Sequence, residues 1–235
     1  MNLVQNVAAL GFALVVGACS LPDSGVVGRQ LAWFDYVAGE DMRQSCPQTE
    51  MERYRLVFNA EYTKQVRTYD VLQRGDGATL RGHVFRGGLT ADEAFPSAIG
   101  GFTGKTGSLE LNPDEFAAFR TAVAAAPAQG NGVRYLRADS YFWVVLSCVN
   151  GVLNANAFTG PAERMESLPF RRFLLAHDPT GVPVRVQRGV AADRLTGYGS
   201  AYSPIETESV DRAFGRGGAV FQFKYENGAI TVLGG

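Results

Sequence analysis

Five polar side chains in the N-terminal half of the chain could together hold an anion. Arg53 and Arg55 alternate along one predicted strand, Asp70 lies in the next, and Arg81 and His83 alternate along a third. Side chains two residues apart in a strand point to the same face of a sheet. If the three strands pair, these side chains form one basic surface. It could bind a lipid headgroup, a glycan carboxylate or an acidic loop of a partner protein.

The pairing depends on the hairpin loop between the first two strands. A loop centred near residues 61–62 places Arg53 opposite Asp70 and Arg55 opposite Thr68. The alternative to an anion site is a solvated outer sheet face, because antiparallel sheets commonly expose one face to water. Cross-strand ion pairs on such a face contribute little to stability.

Motifs for catalysis, metals and cofactors fail on spacing. The loop at residues 100–106 ends in Gly-Lys-Thr, but Ile99 stands where a phosphate-binding loop needs its first glycine. The chain has no Gly-x-Ser-x-Gly sequence, and its two histidines, His83 and His177, lie far apart. We therefore predict no catalytic residue, metal or cofactor from motifs. The net charge of −1, from 22 basic and 23 acidic residues, does not indicate a nucleic-acid partner.

Hairpins dominate the elements that would position these residues. Alternating strands are predicted at 52–59, 65–73 and 78–86. Two further hairpins are predicted at the Asn150-Gly151 and Asn227-Gly228 dipeptides, because both residues of such a pair accept positive φ. The arms are residues 141–149 with 152–158, and 219–225 with 229–233.

Helices are predicted between these hairpins. Asn112, Pro113 and Glu115 have the pattern of a capped helix start. Helical segments are also expected at 91–99, at 163–176 with an interruption at Pro169, and at 203–214, whereas 100–108 reads as a glycine-rich loop. Because no βαβ alternation appears, we predict an α+β fold. It is a single domain with a mainly antiparallel, hairpin-built sheet and three to four helices packed on it.

The N-terminal segment has the pattern of an export signal. Residues 7–18 are apolar and uncharged, and 12 residues are too few to span a bilayer but suit a secretory signal. They end in Val16-Gly17-Ala18-Cys19, which resembles the lipobox of bacterial lipoprotein precursors. The resemblance implies removal of residues 1–18 as a signal peptide and acylation of Cys19. Apart from the resemblance, the small and polar residues at 20–25 predict a flexible tether over 19–29, and the hairpin-rich remainder predicts one globular domain over 30–235.

The resemblance also bears on the other two cysteines. A lipoprotein domain would face the oxidising periplasm, where Cys46 and Cys148 form an even pair and a disulfide is favoured. Two buried thiols are the alternative, since Cys148 lies in an apolar run. Ser20 after the lipidated cysteine is compatible with sorting to the outer membrane in that family.

These observations favour a lipid-anchored envelope protein that faces the periplasm. We expect a binding or assembly module without enzymatic activity, whose partners are the bilayer, through acyl chains on Cys19, and an envelope protein or glycan. One alternative is a periplasmic hydrolase with a scattered acid–base site, for which His83 and Asp70 are the candidates. Another is a carrier of a hydrophobic ligand between sheet and helices.

Overall fold

A computed structural model of the chain describes residues 34–60, 65–86, 104–127, 133–137, 140–185 and 222–233. These residues form two antiparallel sheets. In chain order the strands are β1 (Arg53–Ala60), β2 (Gln65–Arg74), β3 (Gly77–Arg86), β4 (Gly104–Leu111), β5 (Arg134–Arg137), β6 (Tyr141–Val149), β7 (Val152–Thr159), β8 (Gln222–Glu226) and β9 (Ala229–Val232). Six strands make the large sheet, in the order β4-β3-β2-β1-β6-β7, and three make the small sheet, in the order β5-β8-β9.

The helices are short. They are α1 (Glu40–Ser45), α2 (Pro113–Ala124), α3 (Ala162–Glu166) and α4 (Pro169–Ala176), with a 3₁₀ turn at Cys46–Gln48. Residues 34–38 are also helical, and Gly39 separates them from α1. At the start of α2, the Asn112 side chain accepts from the Glu115 N–H while the Glu115 side chain accepts from the Asn112 N–H. The predicted capping box is confirmed.

Two turn predictions are confirmed by the backbone. Asn150 and Gly151 have φ of 52° and 74°, and Asn227 and Gly228 have φ of 48° and 77°. Each pair joins the two strands of a hairpin, β6 to β7 and β8 to β9. Positive φ at both central residues matches the right-handed twist of the flanking strands.

The central strands of the large sheet, β1 and β6, are buried on both faces. Successive residues of β1 and β6 point alternately into two separate apolar cores. Leu56 and Trp143 belong to one core, and Val57 and Val144 belong to the other. The first core lies under α2, α3 and α4 and is rich in aromatic rings. The second is covered by the small sheet and by residues 34–48. We call these the helix face and the small-sheet face.

The predicted α+β class is therefore confirmed, with a sheet-dominated core. One element was misassigned: residues 100–108 were expected to form a loop, but Gly104–Leu111 is a strand that pairs with β3. Its glycines allow neighbouring backbone to come close. A Cβ at Gly104 would meet the Val84 oxygen, and one at Gly107 would meet the Pro179 oxygen. The helices expected at 91–99 and 203–214 lie outside the described residues.

Candidate functional site

The five polar residues that could hold an anion lie on the small-sheet face. Arg55, Asp70 and Arg81 are directly opposite one another across β1, β2 and β3. Arg53 lies two residues before Arg55 in β1, and His83 two residues after Arg81 in β3. The strands bring the five to one face, in a register that differs from the expected one.

The expected register of β1 and β2 is wrong by two residues. Arg53 lies opposite Leu72, and Arg55 lies opposite Asp70, where Asp70 and Thr68 were expected. The pairing ends at Ala60 opposite Gln65, so its centre lies between residues 62 and 63 and not near 61–62 as expected. A slip of two residues keeps every side chain on its face, so the face survives although the partners change.

Arg55 is the centre of an ionic cluster and is not a solvated residue. Its side chain is 3% exposed, which corrects the expectation of a solvated outer face at this position. The guanidinium donates to both carboxylate oxygens of Asp41, at 2.7 and 2.9 Å, and to Asp70 at 3.1 Å. A third acceptor is the main-chain oxygen of Tyr36, at 2.9 Å. Burial of this cation is offset by two carboxylates and a carbonyl.

Tyr36 completes the cluster. Its hydroxyl donates to Asp70 at 2.7 Å, and its ring lies 3.6 Å from the guanidinium carbon of Arg55. Burial, reinforced by the Asp70 carboxylate, raises the pKa of Tyr36 far above its usual value. The phenol therefore stays a neutral donor to Asp70 at any physiological pH.

Charge on this face is largely balanced. Arg53 lies 2.9 Å from Asp41 and 3.8 Å from Asp70, so two arginines share two carboxylates. Burial opposes ionisation of Asp41, but the hydrogen bonds and charges of Arg55 and Arg53 outweigh it and hold the pKa of Asp41 below its usual 3.8. An incoming anion would meet mainly the exposed Arg81 and the half-buried His83.

His83 and Asp70, the candidate acid–base pair, contact different parts of the structure. Both oxygens of Asp70 accept hydrogen bonds, from Tyr36 and from Arg55. The imidazole of His83 lies over β4, where a Cβ at Gly104 would come within 2.8 Å of its Nε2. Asp70 therefore acts as a structural acceptor for the cluster around Arg55.

A second ionic cluster lies on the helix face and was missed from sequence. Arg67 in β2 is fully buried and pairs with Asp178, whose side chain is 9% exposed. The same guanidinium donates to the main-chain oxygen of Val182, to Gln65 at 3.2 Å and to the Tyr69 hydroxyl at 3.4 Å. The alternation of polar and apolar residues in β2 does not show that Arg67 points into the core. The only possible signal in the sequence was a carboxylate to pair with it, Asp178, which lies far away in the chain.

Two of the partners of Arg67, Asp178 and Val182, belong to a segment that crosses the helix face. Residues 178–183, here called the strap, follow α4. Asp178 accepts from the Thr180 N–H at 2.8 Å, and the Pro183 oxygen accepts from Gln65 at 3.1 Å. The strap is thus fixed to β2 by polar contacts.

The strap packs against two glycines of the large sheet. Gly82 and Gly107 lie directly opposite each other in β3 and β4. A Cβ at Gly82 would lie 2.9 Å from Thr180, and one at Gly107 would lie 2.2 Å from the main-chain oxygen of Pro179. Side chains at either position would push the strap off the sheet.

His177 lies at the C-terminal cap of α4. Its Nδ1 is 2.9 Å from the main-chain oxygen of Phe173, and its ring stacks on the Phe173 ring at 4.1 Å. Nε2 lies 3.9 Å from Glu115 at the start of α2. These contacts dock α4 on α2.

Cys46 and Cys148 form a disulfide, with their Cα atoms 5.6 Å apart. Among the described residues, no group of three or more His, Cys, Asp or Glu side chains is placed to hold a metal ion. No helix in the described part of the chain is long and apolar enough to cross a membrane. Comparisons with protein-family models, curated proteins and solved structures found no match.

Proposed function

We propose that the protein is a lipid-anchored binding or assembly module of the bacterial envelope, facing the periplasm. The observation that carries the proposal is the disposition of the three cysteines. Two of them close a disulfide inside the folded domain, across 102 residues. The third, Cys19, is the one in the lipobox-like sequence. Disulfides persist in oxidising compartments, which agrees with export.

The anchor sets where the module works. Acyl chains on Cys19 hold the protein to a leaflet while the domain stays in the aqueous phase. Ser20 favours the outer membrane. Its partner would be an envelope protein or a glycan, and the exposed Arg81 is the part of the polar face that offers positive charge to a carboxylate or phosphate.

Two features favour binding over the alternative activities. Asp70, half of the candidate acid–base pair, is used by Tyr36 and Arg55. Aromatic rings pack closely in the described space between sheet and helices: Trp143 stacks on Phe58, with ring centroids 4.7 Å apart, and meets Phe170 edge to face at 5.4 Å. A carrier of a hydrophobic ligand needs an open apolar cavity there.

The anchor is tested on the full-length chain expressed in a bacterial host. We expect mass spectrometry to find an N-terminal peptide that begins at Cys19 and carries acyl chains, in the outer-membrane fraction. Cys19→Ser should abolish acylation and release the domain from membranes. An unprocessed, unacylated wild-type chain in the cytosol would overturn the proposal.

Binding is tested with peptidoglycan and with vesicles that contain anionic lipid. Co-sedimentation should weaken in Arg81→Glu and stay unchanged in Arg74→Glu, a matched exposed arginine in β2. Hydrolysis of ester, amide or glycoside substrates that is lost in a folded His83→Gln variant would contradict the non-enzymatic proposal and favour the hydrolase.

A further inference from the structure

Residues 34–48, here called the anchor junction, are the first described part of the domain after the tether. Terminal segments of this kind usually fray from a domain. This one is attached instead to β1 and β6, which pair with each other inside the large sheet. The attachments are of three kinds: close packing, an ionic cluster and a disulfide.

The first attachment is close packing at Gly39. The residue has a φ of +75°, a conformation that glycine adopts without strain. A Cβ at this position would lie 2.5 Å from a methyl carbon of Leu146 in β6. The backbone of the junction therefore lies directly on β6, with Val37 and Met42 buried on either side of the contact.

The second attachment is electrostatic. Arg55 in β1 binds Asp41 and the Tyr36 oxygen, both in the junction, and also Asp70 in β2. If the junction moved away, this buried cation would lose one of its two carboxylates and a carbonyl. Removing one partner from a buried charge is costly, so the cluster opposes local opening.

The third attachment is covalent. The disulfide joins Cys46, near the end of the junction, to Cys148 in β6. Any pull on the chain ahead of Cys46 is thus delivered to an interior strand of the large sheet.

We propose that the anchor junction opens only when the large sheet unfolds, so that tension on the N-terminal tether is transmitted to the centre of the sheet. The physiological role of this coupling rests on the proposed anchor at Cys19. The coupling itself does not, because it is a property of residues 34–48 and the sheet.

Amide hydrogen exchange of the purified full-length protein in detergent tests the coupling. The Arg43 amide donates to the Gly39 oxygen at 2.8 Å and reports opening of the junction, and the Val57 amide in β1 reports opening of the sheet. We expect their protection factors to agree within about tenfold. Exchange at Arg43 more than about 1,000-fold faster than at Val57 would show ordinary terminal fraying and overturn the proposal.

Variants separate the contributions. Asp41→Asn should lower protection at Arg43 by about tenfold or more while protection at Val57 changes little, because it removes a charge-assisted contact to Arg55. Glu40→Gln, whose surface pair with Arg43 is half exposed, is the matched control and should leave both amides unchanged. If Asp41→Asn changes neither amide, the ionic cluster does not hold the junction. Acylation of Cys19 is measured separately, so a missing lipid and a frayed junction give different results.

Discussion

Asp178→Asn should destabilise the protein more than any surface charge change, because it leaves Arg67 without a carboxylate in the core. Arg67 is fully buried and Asp178 nearly so. Asparagine keeps the shape and one acceptor oxygen, which can serve either Arg67 or the Thr180 N–H but not both. Removing one partner from a buried ion pair costs about 3–5 kcal/mol, so we expect the free energy of unfolding to fall by about 3 kcal/mol.

Urea unfolding measures this loss. With an m-value of about 2–3 kcal/mol/M, the midpoint should fall by about 1 M and the slope should not change. The exposed pair of Glu40 and Arg43 supplies the control, because Glu40→Gln should change stability by less than about 0.5 kcal/mol.

A double replacement tests the cause. Arg67→Met together with Asp178→Leu removes both charges and should recover part of the loss, since apolar side chains of similar size can replace a buried ion pair. A stability for Asp178→Asn within 0.5 kcal/mol of the wild type would refute the reasoning. It would mean that water or another group satisfies Arg67.

Three further predictions concern the strap, the disulfide and acid. Gly107→Ala should destabilise by about 1–3 kcal/mol in thermal melts, because its Cβ would clash with the Pro179 oxygen, whereas Ser108→Ala on the other face should be near neutral. Reducing the disulfide should cost about 4–5 kcal/mol, measured as the urea midpoint with and without reductant, since it opens a loop of 102 residues. The pKa of Asp41 is lowered by folding, so its stabilising contribution is present above its ordinary value of 3.8 and lost as pH falls through the folded pKa. Asp41→Asn should therefore flatten the loss of stability below about pH 4, measured by urea unfolding at several pH values.

Local signals in the sequence were sufficient for the turns, the capped helix and the fold class. An Asn-Gly pair between alternating strands and an Asn-Pro-x-Glu start each require a particular backbone that nearby residues decide. The disulfide followed from the compartment implied by the lipobox-like segment.

Long-range contacts were not readable in the same way. Arg55 and Arg67 both lie in strands that alternate as half-exposed strands do, yet both are buried because residues 36–41 and 178–183, remote in sequence, supply their acceptors. The third strand of the small sheet was likewise missed, since β5 has four residues and pairs with β8, almost 90 positions later. Residue composition does not predict such pairings. Glycines within strands, such as Gly82 and Gly107, can indicate that another segment of backbone packs closely on the sheet.

The position of β8 and β9 has a consequence for how the molecule matures. Phe223, Tyr225 and Ile230 come from β8 and β9, which follow β6 by more than 70 residues, and they fill the small-sheet face against Phe34 and Phe142. A polypeptide delivered from its N-terminus, by a ribosome or through a translocation channel, cannot seal that side until residues 222–232 have emerged. Until then residues 34–48 cover only part of this face, so its closure has to follow delivery of β8 and β9 rather than accompany synthesis of β1 and β6.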